Sequence, residues 1–283
     1  MKFKEIADYI KLEHTVFDIP FIVSGSFIAA DGYPGTLVLI LVILAGSFAR
    51  ATGMSINRIL GRKYDIINPR KKDWALVRGS FTINKAILFT VISAFLFETC
   101  AFMLNRLVFE LSPIVLVLFI IDPLLKKITM LRHFFMGLVI GVGVMAGYLA
   151  VTPSFPAIPE IYILILATGL WIAGFDMIYT IPDIEYDRQN GLKTVMSRRG
   201  VKKGIHYSES VHAVTGALFL SIAFFIKSYI YLVAATVIII LIIYQHIILK
   251  PDDPKSIRVS FLNSNSFIGF IFLAGVILSI YVH

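Results

Sequence analysis

The sequence predicts an all-α polytopic membrane protein, about nine transmembrane helices around a central cavity, and three observations carry that expectation. Of 283 residues, 58% are hydrophobic and only 16% charged, and the mean hydropathy is +0.83, a composition suited to a bilayer. Nine apolar runs can be drawn, at 15–32, 36–60, 83–104, 107–125, 134–151, 159–181, 211–226, 228–249 and 260–282, each near the length set by a hydrocarbon core of about 30 Å. The basic residues then sort to one side. With the N-terminus inside, Lys2, Lys4, Lys11, the 50–85 region, Lys126, Lys127, Arg132, the 188–203 region, Lys250, Lys255 and Arg258 share a side, and only Arg106 and Lys227 face the other. The positive-inside rule makes the N-terminus and the basic loops cytoplasmic and the C-terminus external. The net charge of +8 is thereby explained with no nucleic-acid partner. Cys100 is the sole cysteine, so neither an intrachain disulfide nor a thiolate metal site is expected. No linker or composition break divides the chain, and residues 1–283 read as a single domain.

MKFKEIADYIKLEH at the N-terminus is too polar for a cleavable signal and reads as an amphipathic helix on the cytoplasmic surface. In the first span Asp18 lies a turn inside an apolar run, where an acid needs a partner or a cavity. His14 stands alone and reads as a packing histidine. Asp31-Gly32-Tyr33-Pro34 has turn chemistry. The second span changes character after TLVLILVILAG: Arg50, Asn57, Gly61 and Asp65 are spaced to fall within about 80° on one helical face. Asn68-Pro69 ends that helix, and Arg70, Lys71, Lys72 and Arg78 suit either phosphate or anionic lipid. Glu98 and Asn105 read as helix contacts. Asp122-Pro123 ends span four, and Lys126 and Lys127 follow on the side where the polar helix ends open; a lysine is a compact charge suited to a phosphate oxygen. In span five, Gly137, Gly141, Gly143 and Gly147 permit close helix approach.

Span six runs into WIAGFDMIYTIPDIEYDRQNGLKTV. On a continuous helix Asp176, Asp183 and Asp187 fall within about 40°, with Tyr179 beside them, while Pro182 removes a backbone donor and breaks or kinks the helix. Spans two and six have the same parity, so both polar ends open on one side. His206 and His212 read as structural, span eight as lipid-facing, and Asn263 and Asn265 as groups that either close the pocket or bond a neighbouring helix.

Two carboxylates four residues apart, facing a helix end with Asn and Asp, make a hard oxygen site suited to Mg²⁺, which is usually held by one or two carboxylates plus substrate phosphates. Surrounding arginines and lysines would hold the remainder of a diphosphate. A diphosphate on a lipid-soluble chain is the natural substrate for such a site in a bilayer. Its departure leaves an allylic cation, which an aromatic face such as Tyr179 stabilises.

These residues resemble the UbiA superfamily of intramembrane prenyltransferases, in its 4-hydroxybenzoate polyprenyltransferase-like branch. The resemblance runs nearly end to end: KLEHTVFDIPF at 11–21, Arg50 with NRILGRKYDIINPR at 57–70, KKIT with His133, and GFDMIYTIPDIEYDRQNGLKTV at 174–195. It implies Mg²⁺-dependent transfer of a prenyl group from its diphosphate to a lipophilic, aromatic-type acceptor, with a lateral opening to membrane lipid. Asn57, Asp65, Asp183 and Asp187 become the expected metal-diphosphate ligands, and Asp183, Asp187, Asp65 and Tyr179 the expected catalytic set. Arg50, Asn57, Arg58, Arg70, Lys126, Asp176 and Asn265 become expected substrate contacts. The chain departs from the family at Gly61, where the family has a metal carboxylate, at Trp74 for an Arg, at Asp122 and Leu124 for tyrosines, and at Pro182 for a Gln. The expectation is that Asp65, or Asp122 or Asp18 from a neighbouring helix, restores the missing charge; the alternative is a homologue with weakened activity. A transporter, whose polar sites sit near the midplane, and a CDP-alcohol phosphotransferase, whose Asp-Gly-x-x-Ala-Arg opening is absent, are the rival classes.

Overall fold

The computed structural model describes residues 3–282. Among them are twelve α-helices and no strands. The membrane helices are α2 (Leu12–Ala30), α3 (Thr36–Asp65), α4 (Ile83–Leu104), α5 (Arg106–Ile128), α6 (Arg132–Leu149), α7 (Pro159–Tyr179), α10 (Val201–Ile226), α11 (Tyr229–Ile247) and α12 (Pro254–Tyr281), with α1 (Phe3–Ile10), α8 (Ile184–Gln189) and α9 (Val195–Arg199) at the loops. Eight of the nine are long and apolar enough to cross a bilayer; α2 carries a shorter apolar stretch, Asp18–Ala30. Large hydrophobic side chains such as Leu88, Phe95, Phe102 and Phe224 are more than half exposed. In water so many exposed side chains would form an unstable patch, whereas on an integral membrane protein lipid covers them.

The helices pack in sequence from α2 through α7, on to α10, α11 and α12, and α12 returns to α2. The two halves differ inside. Phe21, Trp171, Phe219, Tyr231 and Phe272 fill the space between α2, α7, α10, α11 and α12, with Phe21 and Trp171 ring centres 5.2 Å apart. The space within α2 to α7 is a cavity instead, and no described residue of α10 to α12 lines its wall. Close backbone approach makes this asymmetry possible. A methyl group on Gly137 would overlap the Gly169 carbonyl of α7, and one on Gly147 would overlap the Ile22 carbonyl of α2, so the glycine rhythm of α6 works as packing geometry predicts. Ser26 seals that contact by donating to the Gly147 carbonyl at 2.8 Å.

Other sequence expectations fall into place here. Asn105 caps α5, accepting from the Val108 N–H at 3.0 Å, and donates to the Leu149 carbonyl at 2.8 Å. Glu98 accepts from the Ser112 hydroxyl at 2.5 Å. His212 is buried, bonded to His246 at 2.8 Å and to the Trp171 carbonyl at 3.1 Å. The α1 helix is separated from α2 by Lys11, whose φ of 52° breaks the helical run. The side chains of His14 and Asn263 lie outside the described residues.

Candidate active site

The long α3 helix continues for a little over one turn beyond the apolar run 36–60 and ends at Asp65. A short 3₁₀ turn, Pro69–Lys71, follows, capped by Asn68, whose side chain accepts from the Arg70 N–H at 3.0 Å. That turn swings two cations back over the helix end. Lys71 Nζ donates to Asp65 at 2.7 Å, and Arg70 reaches across to Asp183. Arg58, only 4% exposed, lies over the Trp74 ring at 4.2 Å and the Tyr9 ring at 5.7 Å. It thereby fastens the 66–82 loop and α1 onto α3.

On the other side, α7 ends at Tyr179. Pro182 then takes an early position in a 3₁₀ turn, Ile181–Asp183, and α8 restarts at Ile184. A proline has no N–H to donate and cannot continue the helix. Asp183 at this break accepts from Asn68 Nδ2 at 3.0 Å and from Arg70. Arg70 also stacks on Tyr179, 4.8 Å from the ring centre. After α8, Gly191 takes φ 66°, a left-handed conformation that glycine adopts without steric cost, and the chain folds back so that Thr194 donates to Asp187 at 3.2 Å. The backbone N–H of Lys193 binds the Lys126 carbonyl at 2.6 Å, tying this loop to the end of α5.

The two polar ends meet. A small cavity of about 30 Å³ is lined by Asn57, Gly61 and Asp65 from α3, Lys126 from α5, and Asp183 and Asp187 from the broken helix, with Lys71 and Thr194 at its edge. Burial pushes the Asp187 carboxyl above its ordinary range, against the pull of Lys126. Tyr186 donates to the Tyr64 carbonyl, and burial together with the Asp65 and Asp187 charges pushes its phenol up to about 12. Lys126, Asn57, Lys71 and Asp183 also border a second, mainly apolar cavity of about 660 Å³, within the range of ligand pockets. It follows α7 from Tyr179 to Tyr162, about 25 Å at 1.5 Å per residue. At the far end its wall includes Ile114, Phe155 and Tyr162, all exposed.

A buried ionic brace lines the tunnel near its charged end. Arg132 lies between Asp122 (3.3 Å) and Asp176 (3.5 Å). His133 Nε2 accepts the Val195 N–H at 3.2 Å, which leaves the proton on Nδ1 to donate to Asp176 at 2.6 Å. The brace ties α5, α6, α7 and the 192–195 loop into one unit.

The structure thus brings Asn57, Asp65, Asp183, Asp187 and Lys126 together, with Arg70 attached through Asp183. Four expectations change. Asp176 does not share a face with Asp183 and Asp187, because the helix breaks between them; it borders only the larger cavity and holds Arg132 and His133. Asn265 lines neither cavity: fully buried in α12, it accepts from Trp171 Nε1 at 2.9 Å and serves helix packing. Asp18 and Asp122 do not restore the charge missing at Gly61. Asp18 is paired with Arg50, and Asp122, although 3.5 Å from Asn57, is paired with Arg132 and stays on the tunnel side. Lys127 is exposed and lies over Tyr64, so Lys126 alone of that pair faces the site. Sequence reasoning missed Asn68, Thr194, Arg132 and His133. Asn68 was visible only as a turn residue, Arg132 only as a basic loop residue, and His133 and Thr194 only as members of stretches that carry the family resemblance; the bonds of His133 to Asp176 and Val195 span 43 and 62 residues, which no local spacing encodes.

Among the described residues no three acidic, histidine or cysteine side chains form a metal cage by themselves. The donor set still suits a hard cation. Asp65 and Asp187 both line the small cavity, and Mg²⁺ usually takes one or two carboxylates and completes its shell with substrate phosphate and water.

The family model described as UbiA prenyltransferase family matches residues 19–274. The 4-hydroxybenzoate octaprenyltransferase of Aliivibrio salmonicida (strain LFI1238) is 31% identical over 255 residues, covering 88% of this chain and 86% of that protein. The protein of the same name from Nitrosomonas eutropha is 27% identical over 263 residues, covering 90% and 88%. Among solved structures, the apo UbiA homolog from Aeropyrum pernix K1 superimposes with a TM-score of 0.84 at 30% identity, covering 94% of this chain and 98% of that one. The Archaeoglobus fulgidus homolog bound to GPP and Mg²⁺ shares the fold, with a TM-score of 0.75 at 19% identity and coverage of 98% and 100%.

Proposed function

Because the chain belongs to the UbiA prenyltransferase family, we propose that it transfers a prenyl group from a prenyl diphosphate to a lipophilic acceptor inside the membrane. The observation that carries this reading is the junction of the two cavities: a small charged one built from both polar helix ends, opening onto an apolar tunnel about 25 Å long. A molecule with a diphosphate head and a hydrocarbon tail fits both at once. The curated relatives are named for octaprenyl transfer to 4-hydroxybenzoate, which supports the reaction class.

Lys126 and Lys71 line the charged cavity and would bind the non-bridging oxygens of the diphosphate. Arg70, held by Asp183, places a guanidinium at its rim. Asp65 and Asp187, with Asn57 and Asp183 beside them, are the residues that would hold Mg²⁺. When bound, that ion neutralises the charge developing on the diphosphate as it leaves. The C1–O bond breaks with its electron pair going to the diphosphate, C1 bonds to the acceptor, and the acceptor gives up one proton. Tyr179 lies under Arg70 with its ring on the tunnel side, where its π-face would meet the allylic cation. The apolar wall excludes water that would otherwise capture that cation. The basic loops flanking the small cavity support a cytoplasmic setting for the charged end, by the positive-inside rule. A transporter is disfavoured because Asp65, Asp183, Asp187, Lys71 and Lys126 gather at one end of the tunnel.

The test is incubation of purified protein with labelled prenyl diphosphates and an acceptor panel, with and without Mg²⁺. Mg²⁺-dependent release of diphosphate with a prenylated product supports the reading, and uptake into vesicles with the diphosphate intact sinks it.

A further inference from the structure

One ionisable pair in the tunnel lies outside the small charged cavity. Arg50 lies seven residues before Asn57 on α3, about 10 Å deeper in the membrane, and is paired there with Asp18 of α2. Both border the tunnel, in a wall otherwise made of Ile19, Ile22, Ala45, Gly46 and Ala49. Asp18 is 6% exposed, and Arg50 Nε is buried with no hydrogen-bond partner. A buried ion pair is a poor source of stability, since apolar side chains of similar volume do as well, whereas an ionisable pair within a membrane span facing a cavity usually serves a ligand. Of the other guanidiniums that border the tunnel, Arg132 is held by Asp122 and Asp176, Arg70 by Asp183, and Arg58 lies over the Trp74 ring. Lys11, which also borders the tunnel, stands about two turns back from Asp18 toward the start of α2, on the side of the reacting end.

Resting on the prenyl-transfer reading, the geometry points to an uncharged, hydroxyl-bearing acceptor, whose hydroxyl donates to Asp18 and accepts from Arg50, in place of an acceptor that carries a carboxylate. The physical reason is charge. Arg50 is already neutralised, so a benzoate placed beside it would set a second carboxylate against Asp18 in a region of low dielectric, where an uncompensated charge is expensive. A hydroxyl satisfies both partners and leaves the pair intact. The curated relatives are named for a carboxylate-bearing acceptor, so this chain would have kept the reaction and changed the acceptor class.

Calorimetric titration of the purified full chain, with Mg²⁺ and an unreactive prenyl thiodiphosphate in place, tests this with two probes of matched shape: 4-hydroxybenzyl alcohol and 4-hydroxybenzoate. The wild-type protein should bind the alcohol at least tenfold more tightly. Asp18→Asn, which leaves Arg50 without its counter-charge, should reverse the preference. The double variant Asp18→Asn/Arg50→Leu removes the pair together; it should lose at least tenfold for the alcohol and gain nothing for the benzoate. Equal or tighter binding of the benzoate by the wild type, or an unchanged ratio in the variants, overturns the proposal. So does binding of neither probe. Failure of the thiodiphosphate to bind the wild-type protein is a separate result, and it would count against the prenyl-transfer reading itself.

Discussion

Lys126 and Asp187 face each other across the small cavity, one at the end of α5 and the other in α8, and between them they set the charge a diphosphate meets. Lys126→Met removes one of the two lysines that border both cavities, and a preorganised electrostatic contact of this kind is worth about 10²–10³ in rate. The expected outcome is a fall of that size in kcat/KM with the fold intact by circular dichroism. Asp187 makes a pH prediction. Burial raises its carboxyl above the ordinary carboxylate value, so the folded apo protein holds that proton more tightly than the unfolded chain does. A divalent ion needs the deprotonated form. Mn²⁺ affinity measured by electron paramagnetic resonance should therefore rise with pH and level off once pH exceeds the raised value, the midpoint lying above that of a free aspartate. Gly61 offers the opposite experiment. A Cβ there meets only Asp65 oxygens, at 3.7 and 3.9 Å, which is ordinary contact, so Gly61→Asp fits and adds the carboxylate the family carries. The expected result is tighter Mn²⁺ binding than in the wild type.

At the scale of elements, the 3₁₀ turn 69–71 and the break at 180–183 do most of the positioning, and Asn68 joins them by capping the first and donating to Asp183 in the second. Asn68→Ala should cost about 1 kcal/mol of stability from the lost cap and about 10–100-fold in Mg²⁺-dependent turnover from the lost support, read by thermal unfolding in detergent and by product assay. Gly137→Val tests the packing instead. Its side chain would strike the Gly169 backbone, and the unfolding midpoint should drop by the equivalent of about 1–3 kcal/mol or more. The spans themselves were legible because hydropathy and charge placement are local signals. So were Asn57, Asp65, Asp183, Asp187 and Lys126, because carboxylates and lysines at the ends of apolar runs have few other uses. What the sequence hid depends on chain geometry between spans. A helical wheel carried through residue 187 put Asp176 in the charged cluster, and the proline break moved it to the brace with His133. Asn265 looked like a cavity group because polar residues in spans often are, but Trp171 Nε1, buried in the solid half, needed an acceptor.

Across the whole molecule, the division into a packed half and a hollow half explains how one chain can be stable and still hold a greasy substrate. The aromatic cluster between α2, α7, α10, α11 and α12 anchors the hollow half through α2 and α7, which belong to both. Tunnel length then sets which donors fit. Ala146 borders the tunnel on α6, and Ala146→Phe should shorten the longest prenyl diphosphate accepted while leaving short ones in use, as read by product chromatography. On the proposed reading, the ends of α3 and of the broken α7–α8 segment hold one diphosphate through one shared divalent ion. Electron–nuclear double resonance on the Mn²⁺-loaded protein with a prenyl thiodiphosphate tests it most directly. The predicted result is phosphorus coupling to the Mn²⁺ in the wild type, lost in Asp65→Asn and lost separately in Asp187→Asn. Coupling that survives either substitution at full strength would contradict it.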